Sequence, residues 1–167
     1  GLRPGELLGL RVGDLDGDRV HIGRAINRQQ EVTSGKNENA IRTVVLHPLA
    51  VAEIRAQLQQ RTQEEERPLR DDDPLFLLSN QQSLYNYWKF YQRCNGIDPP
   101  VSLYELRHTF VSMIEDAVPP AQLRRIVGHS KSMDTYGWYS HAVTGRDDAT
   151  AQAVSGVLSE YAPGPEK

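Results

Sequence analysis

Five polar residues of this chain stand in frames that suit the handling of a phosphate. Arg3 lies in Gly1-Leu2-Arg3-Pro4-Gly5-Glu6-Leu7-Leu8, an arginine at a helix start three residues before a glutamate. Such a guanidinium can hold a phosphate while Glu6 orients it from behind. Lys36 stands in the polar stretch 33–39. A flexible lysine at a hairpin tip can reach a leaving oxygen and give it a proton. Arg107 sits beside the apolar residues Leu103, Leu106 and Phe110, taken as a buried face. A charge placed there needs a partner, either a bound phosphate or an internal carboxylate. His129 follows Gly128, and Tyr139 comes ten residues later in Trp138-Tyr139-Ser140-His141. Read singly, each has a plainer meaning: a solvated arginine, a surface lysine, an internal ion pair, a helix cap, a core tyrosine with its hydroxyl satisfied.

The elements that must position these groups follow from pattern. Pro4 and Glu6 suit a first helical turn, so a short helix is expected over 4–10. Residues 14–18 read as a turn, 19–26 as a strand, 33–39 as a loop or hairpin tip and 42–46 as a returning β-branched strand. From Pro48 the spacing of Leu49, Ala52, Ile54 and Leu58 turns helical. Residues 75–78 form a short apolar run read as a small strand, and 83–93 an aromatic-rich helix. Asp98-Pro99-Pro100 is a break. Helices are expected over 103–117 and 120–127, the second stopped by Gly128. A short helix is expected over 132–138 and an amphipathic one over 147–161. The fold class is mostly α with a small antiparallel β-sheet, an α+β domain.

Composition bounds the rest. A chain of 167 residues fits one domain. No apolar run approaches the roughly 20 residues of a membrane span, and Gly1-Leu2-Arg3-Pro4 is not a signal peptide. The chain opens inside what reads as structure, so a piece of a longer protein is expected. The single cysteine, Cys94, permits neither an intrachain disulfide nor a zinc cluster, which points to a reducing, intracellular setting. Net charge is −3. The segment 64–73 alone carries −4, which leaves the remainder at +1. Affinity for phosphate depends on local patches rather than on the total, yet a near-neutral domain needs help from a basic one to hold DNA.

Taken together, these motifs resemble the catalytic domain of the tyrosine recombinases, the phage-integrase type. Gly1-Leu2-Arg3 with Glu6-Leu7 resembles the first arginine box of that family. Lys36 with Arg42-Thr43 resembles its β-hairpin lysine segment, and Leu106-Arg107-His108-Thr109-Phe110 its second arginine box. Gly128-His129-Ser130 and Tyr139-Ser140-His141 match the boxes that follow, in order and distance. The resemblance implies that Tyr139 attacks a DNA phosphate to form a 3′-phosphotyrosyl link. Arg3 and Arg107 would clamp the non-bridging oxygens, His129 would add a hydrogen bond, Lys36 would protonate the 5′ oxygen, and Glu6 would support the pocket. A phenol of pKa about 10 is a poor nucleophile at pH 7, and two guanidiniums and a histidine would favour both the phenolate and the five-coordinate phosphate. Covalent storage conserves the phosphodiester energy, so no metal, ATP or other cofactor is expected.

One position departs from the family. The residue three before Arg107 is usually histidine and here is Tyr104, a hydrogen-bonding group rather than a base at neutral pH. The group that takes the Tyr139 proton therefore stays open. Tyr136, three residues before Tyr139, is the rival nucleophile; His108 and His141 are read as structural. The resemblance further implies double-stranded DNA at specific recombination sites as partner, a homo-tetramer on DNA with this chain alone monomeric, and the cytoplasm of a prokaryote. It places the whole of 1–167 in the catalytic domain, without an N-terminal DNA-binding domain or the first catalytic helix. The helix over 147–161 would dock on a neighbour or pack on its own domain. Two other readings compete: a type IB topoisomerase with the same chemistry, and a non-catalytic DNA-binding module of the same fold.

Overall fold

A computed structural model describes residues 1–34, 41–78, 80–128 and 146–161. Helix α1 (Pro4–Gly9) begins where expected, because Pro4 occupies a first-turn position that needs no N–H donor. After a 3₁₀ turn at Val12–Asp14 come strands β1 (Leu15–Asp16), β2 (Arg19–Ile22), β3 (Arg24–Ile26), β4 (Val32–Ser34) and β5 (Arg42–Val45). Helices α2 (Pro48–Glu64), α3 (Gln81–Cys94), α4 (Leu103–Ile114), α5 (Pro120–Val127) and α6 (Arg146–Glu160) follow. The fold is mostly helical with small antiparallel sheets.

The stretch expected as one strand over 19–26 is two. β2 is the centre of a three-stranded sheet ordered β1-β2-β5, with Val20 opposite Val44. β3 leaves that sheet at Gly23 and pairs with β4, part of which had been read as loop. The physical reason lies in α1. A Cβ added to Gly5 would stand 2.7 Å from the Ile26 carbonyl oxygen, and one added to Gly9 would stand 2.9 Å from that of Arg24. The two glycines let β3 lie directly against the helix, which draws it out of the plane of β2.

Leu10, Val20, Ile22 and Leu75 form the buried core, with Leu7, Val44, Leu46, Ile54 and Leu58 packed around them. Leu75 is fully enclosed, but the small strand expected over 75–78 does not form, and Leu77 is 63% exposed. Among the described residues a single bridge, Arg11 to Pro74, ties this region to the front of the chain as a β partner. Truncating Leu75 to Ala is expected to cost about 2–5 kcal/mol. Urea unfolding checks this: the midpoint should fall with an unchanged slope.

The acidic stretch is held by arginines rather than solvated along its length. Arg61, buried in α2, donates to the Pro74 carbonyl and the Glu65 carboxylate. Arg67 bridges Asp73 at 2.8 Å and Glu65 at 2.6 Å. The Gly13 and Val12 amides donate to the Asp71 and Asp73 carbonyls, each at 2.9 Å. At the other end, α6 packs on its own domain against α4 and β5. Arg19 meets Asp148 at 2.6 Å, and His47 Nε2 lies 3.2 Å from Ser159 Oγ. The short helix expected over 132–138 lies outside the described residues.

Helix α4 is rotated from its expected phase. Leu106 is 43% exposed, whereas Arg107 itself is buried, with Ile114 seven residues on. The inward row is thus Leu103, Arg107, Phe110 and Ile114, and the arginine side chain enters the interior.

Candidate active site: an arginine cluster at the end of helix α5

Helix α5 ends at Gly128, whose left-handed backbone (φ 69) closes the helix. A helix end carries unpaired carbonyls and a partial negative charge, and cations suit both. Three arginines from three different elements serve three consecutive carbonyls here. Arg42 Nε donates to Ile126 at 2.7 Å, Arg107 Nη2 to Val127 at 2.6 Å, and Arg3 Nη2 to Gly128 at 2.9 Å. Arg107 Nη1 also donates to the Gly1 carbonyl.

Glu6 lies within the cluster and is 5% exposed. Its position is local in origin: at the third residue of α1 its carboxylate folds back to the helix entrance, accepting from the Arg3 amide at 2.9 Å and Arg3 Nη1 at 2.7 Å. From β5, Arg42 grips the same carboxylate with both terminal nitrogens, at 3.1 and 2.9 Å. Burial alone would push the Glu6 carboxyl up. The Arg42 hydrogen bonds and the Arg3 amide outweigh it and hold the group at about 2. Arg107 is lowered to about 10, first by burial and then by the charge of Arg3, with Glu6 acting in the opposite direction. It is still cationic at pH 7.

Among the described residues the cluster holds three guanidiniums against one carboxylate, an excess of two positive charges in a largely enclosed site. A second anion is what such a site would stabilise most. The described bonds of Arg107 use two of a guanidinium's five N–H donors, so its fork keeps capacity for an oxyanion. Arg3, with its side chain 33% exposed, is the member open to solvent.

The structure brings Arg3 and Glu6, three residues apart, together with Arg107 from more than a hundred residues away. Tyr104 is 46% exposed on α4, one turn before Arg107 and near enough to influence its charge. Lys36, His129 and Tyr139 lie outside the described residues, as do Tyr136 and His141. His129 follows Gly128, whose carbonyl Arg3 holds, and Lys36 belongs to the segment between β4 and β5. His108 is exposed, and Cys94 is an exposed free thiol. The sequence motifs assign Arg42 no role of its own. The signal was present in the strand alternation, which sets Arg42 on the same face as Val44 and Leu46 and so demands a buried partner. Among the described residues no group of His, Cys, Asp or Glu is arranged to hold a metal, and no helix is long and apolar enough to cross a membrane.

Breaking the central pair tests the electrostatics. Glu6→Gln is expected to destabilise the fold by about 3–5 kcal/mol at pH 7, since it strands buried guanidiniums. The Glu6 carboxyl lies below its ordinary value of 4.5. Its contribution is therefore complete above about pH 5 and is lost as pH falls toward 2. Chemical denaturation across that range should show the gap between variant and wild type narrowing with acid.

Residues 1–146 match the family described as the phage integrase family. A tyrosine recombinase XerD of Listeria monocytogenes serotype 4b (strain F2365) is 26% identical over 147 residues, which cover 84% of this chain and 46% of that protein. XerD of serovar 1/2a (strain ATCC BAA-679 / EGD-e) matches to the same extent. The chain thus spans less than half the length of these relatives. Among solved structures, the XerA recombinase superposes with a TM-score of 0.61 at 20% identity, covering 96% of this chain and 50% of that one. The Tn1549 transposon integrase, in complex with transposon right end DNA, gives 0.60 at 21% identity, covering 94% and 55%.

Proposed function

The chain belongs to the phage integrase family, and from that premise we propose that it is the catalytic domain of a site-specific DNA recombinase working through a 3′-phosphotyrosyl intermediate. The observation that carries this reading is the cluster at the end of α5, where Arg3 and Arg107 converge with one carboxylate between three guanidiniums. The excess charge suits a phosphodiester, whose two non-bridging oxygens match guanidinium forks. As the phosphorus passes through five-coordination these oxygens gain charge, so Arg3 and Arg107 stabilise the transition state more than the ground state.

In the step itself the Tyr139 oxygen bonds to phosphorus and the bond to the 5′ oxygen breaks. The departing oxygen takes a proton from Lys36, and His129 hydrogen-bonds a non-bridging oxygen. The phenol gives up its own proton to solvent water as it attacks. Tyr104 serves as a hydrogen-bonding support rather than as the base. One phosphodiester is exchanged for another, so ligation is the same reaction reversed by the 5′ hydroxyl. The partner is double-stranded DNA at recombination sites, with four protomers assembled on it in the cytoplasm, and the rest of the longer protein supplies a second DNA-binding domain.

Trapping tests the reading. With a suicide duplex whose 5′ leaving group is a phosphorothiolate sulfur, the intact protein should accumulate a denaturation-resistant protein–DNA adduct. DNA binding without any adduct would instead favour a non-catalytic module.

A further inference from the structure

We infer that Arg42 is a positioning residue for this reaction: one buried guanidinium on β5 locks the Glu6 carboxylate, which orients Arg3, to the end of helix α5. The inference rests on the recombinase reading. Its grounds are geometric. The Arg42 side chain is 4% exposed, against 33% for Arg3, so it is the enclosed member of the cluster. All three of its nitrogens are engaged with described acceptors: Nη1 and Nη2 with the two oxygens of Glu6, and Nε with the Ile126 carbonyl. Its charge is met by Glu6, whereas Arg107 is held by backbone carbonyls.

The bonds reach two separate parts of the site. Through Glu6, Arg42 fixes the carboxylate that orients the Arg3 guanidinium. Through Ile126, it fixes the end of α5, three residues before His129. A planar fork with fixed angles can hold these two partners at once; a lysine ammonium, a single point on a flexible stem, cannot. Glu6 is faced by Arg3 at the entrance of its own helix, Arg42 from β5 and Arg107 from α4. Arg42 is the partner that binds both carboxylate oxygens from outside α1.

The test compares Arg42→Lys, Arg42→Gln, Glu6→Gln and the Arg42→Gln/Glu6→Gln pair with wild type, in single-turnover cleavage of the suicide duplex from pH 4 to 8. Arg42→Lys is expected to slow cleavage about 10–100-fold, the scale of a small misplacement of reacting groups, with DNA affinity little changed. It should also create an acid limb absent from wild type. With less to hold it ionised, Glu6 would take up a proton within the tested range, and cleavage would fall as pH drops through its raised value. A purely structural role would lower stability without adding that limb. Glu6→Gln breaks the same pair from the other side, so it should reproduce the loss of rate without the limb. The double variant should be no slower than Arg42→Gln alone.

A second readout is independent of cleavage: the ¹³C shift of the Glu6 carboxyl against pH, without DNA. An upward move in Arg42→Lys supports the inference. A Glu6 titration that does not move, or a variant that cleaves with the wild-type rate and pH profile, overturns it. If wild type itself forms no adduct, the recombinase reading fails, and the Glu6 titration still decides whether Arg42 sets the carboxylate.

Discussion

Tyr139→Phe is expected to abolish the covalent protein–DNA adduct while leaving DNA binding intact, and Tyr136→Phe is expected to form the adduct still. The substitution removes one oxygen and no packing volume, so a lost adduct reports chemistry rather than folding. Deleting a covalent nucleophile costs a factor on the order of 10⁶ where it has been measured, which puts the residual adduct below detection. The two tyrosines stand three residues apart, which on a helix is one face, and position alone does not separate them. What separates them is the ten-residue interval from His129 and the Ser140-His141 pair that follows Tyr139. The chemistry also sets a demand on the partners. A phenol with an unperturbed pKa of about 10 is almost wholly protonated at pH 7, so its attack depends on cations already fixed at the phosphate. Arg3 and Arg107 are held in place beforehand, each tied to a carbonyl at the end of α5. An adduct that survives in Tyr139→Phe and vanishes in Tyr136→Phe would keep the reaction and move the nucleophile.

What could be read from the sequence depended on how local its cause was. Pro4 sets the start of α1, and the start sets the return of Glu6 to the Arg3 amide, all within four residues. That arrangement is legible. Arg107 was legible in its demand for a partner but not in the partner's identity. The acceptors are the carbonyls of Gly1 and Val127, 106 and 20 residues away, and no pattern along the chain announces them. Leu106 was placed inward because a leucine beside an arginine is the natural choice for a buried face. The structure turns α4 the other way, because the cluster supplies acceptors that make burying the guanidinium tolerable. Gly5 and Gly9 carry no mark along the chain that singles them out, yet they split the expected strand by letting β3 approach α1. Arg42 was seen as part of a motif and not as a structural agent, because its effect requires Glu6 and Ile126 to arrive from elsewhere.

Arg107→Lys is expected to lower single-turnover cleavage by about 10²–10³, the cost of losing a pre-set donor to developing charge, although the positive charge is kept. Charge is the smaller part of what Arg107 contributes. Its two terminal nitrogens reach carbonyls of two separate segments, and the remaining donors of the same planar group are oriented by those bonds. A lysine brings three donors on one nitrogen, and holding both carbonyls would leave it poorly placed for a phosphate oxygen. Binding should respond differently from rate. Duplex affinity is spread over many phosphate contacts and the lysine keeps the charge, so the salt slope should stay nearly unchanged and most of the affinity should remain. The two measurements therefore separate the explanations. A large loss of rate with a small loss of binding shows that the fork matters at the transition state. Equal losses in both would show that Arg107 only helps to hold DNA. A wild-type rate would show that a point charge suffices, and the geometry of the α5 end would then need another purpose.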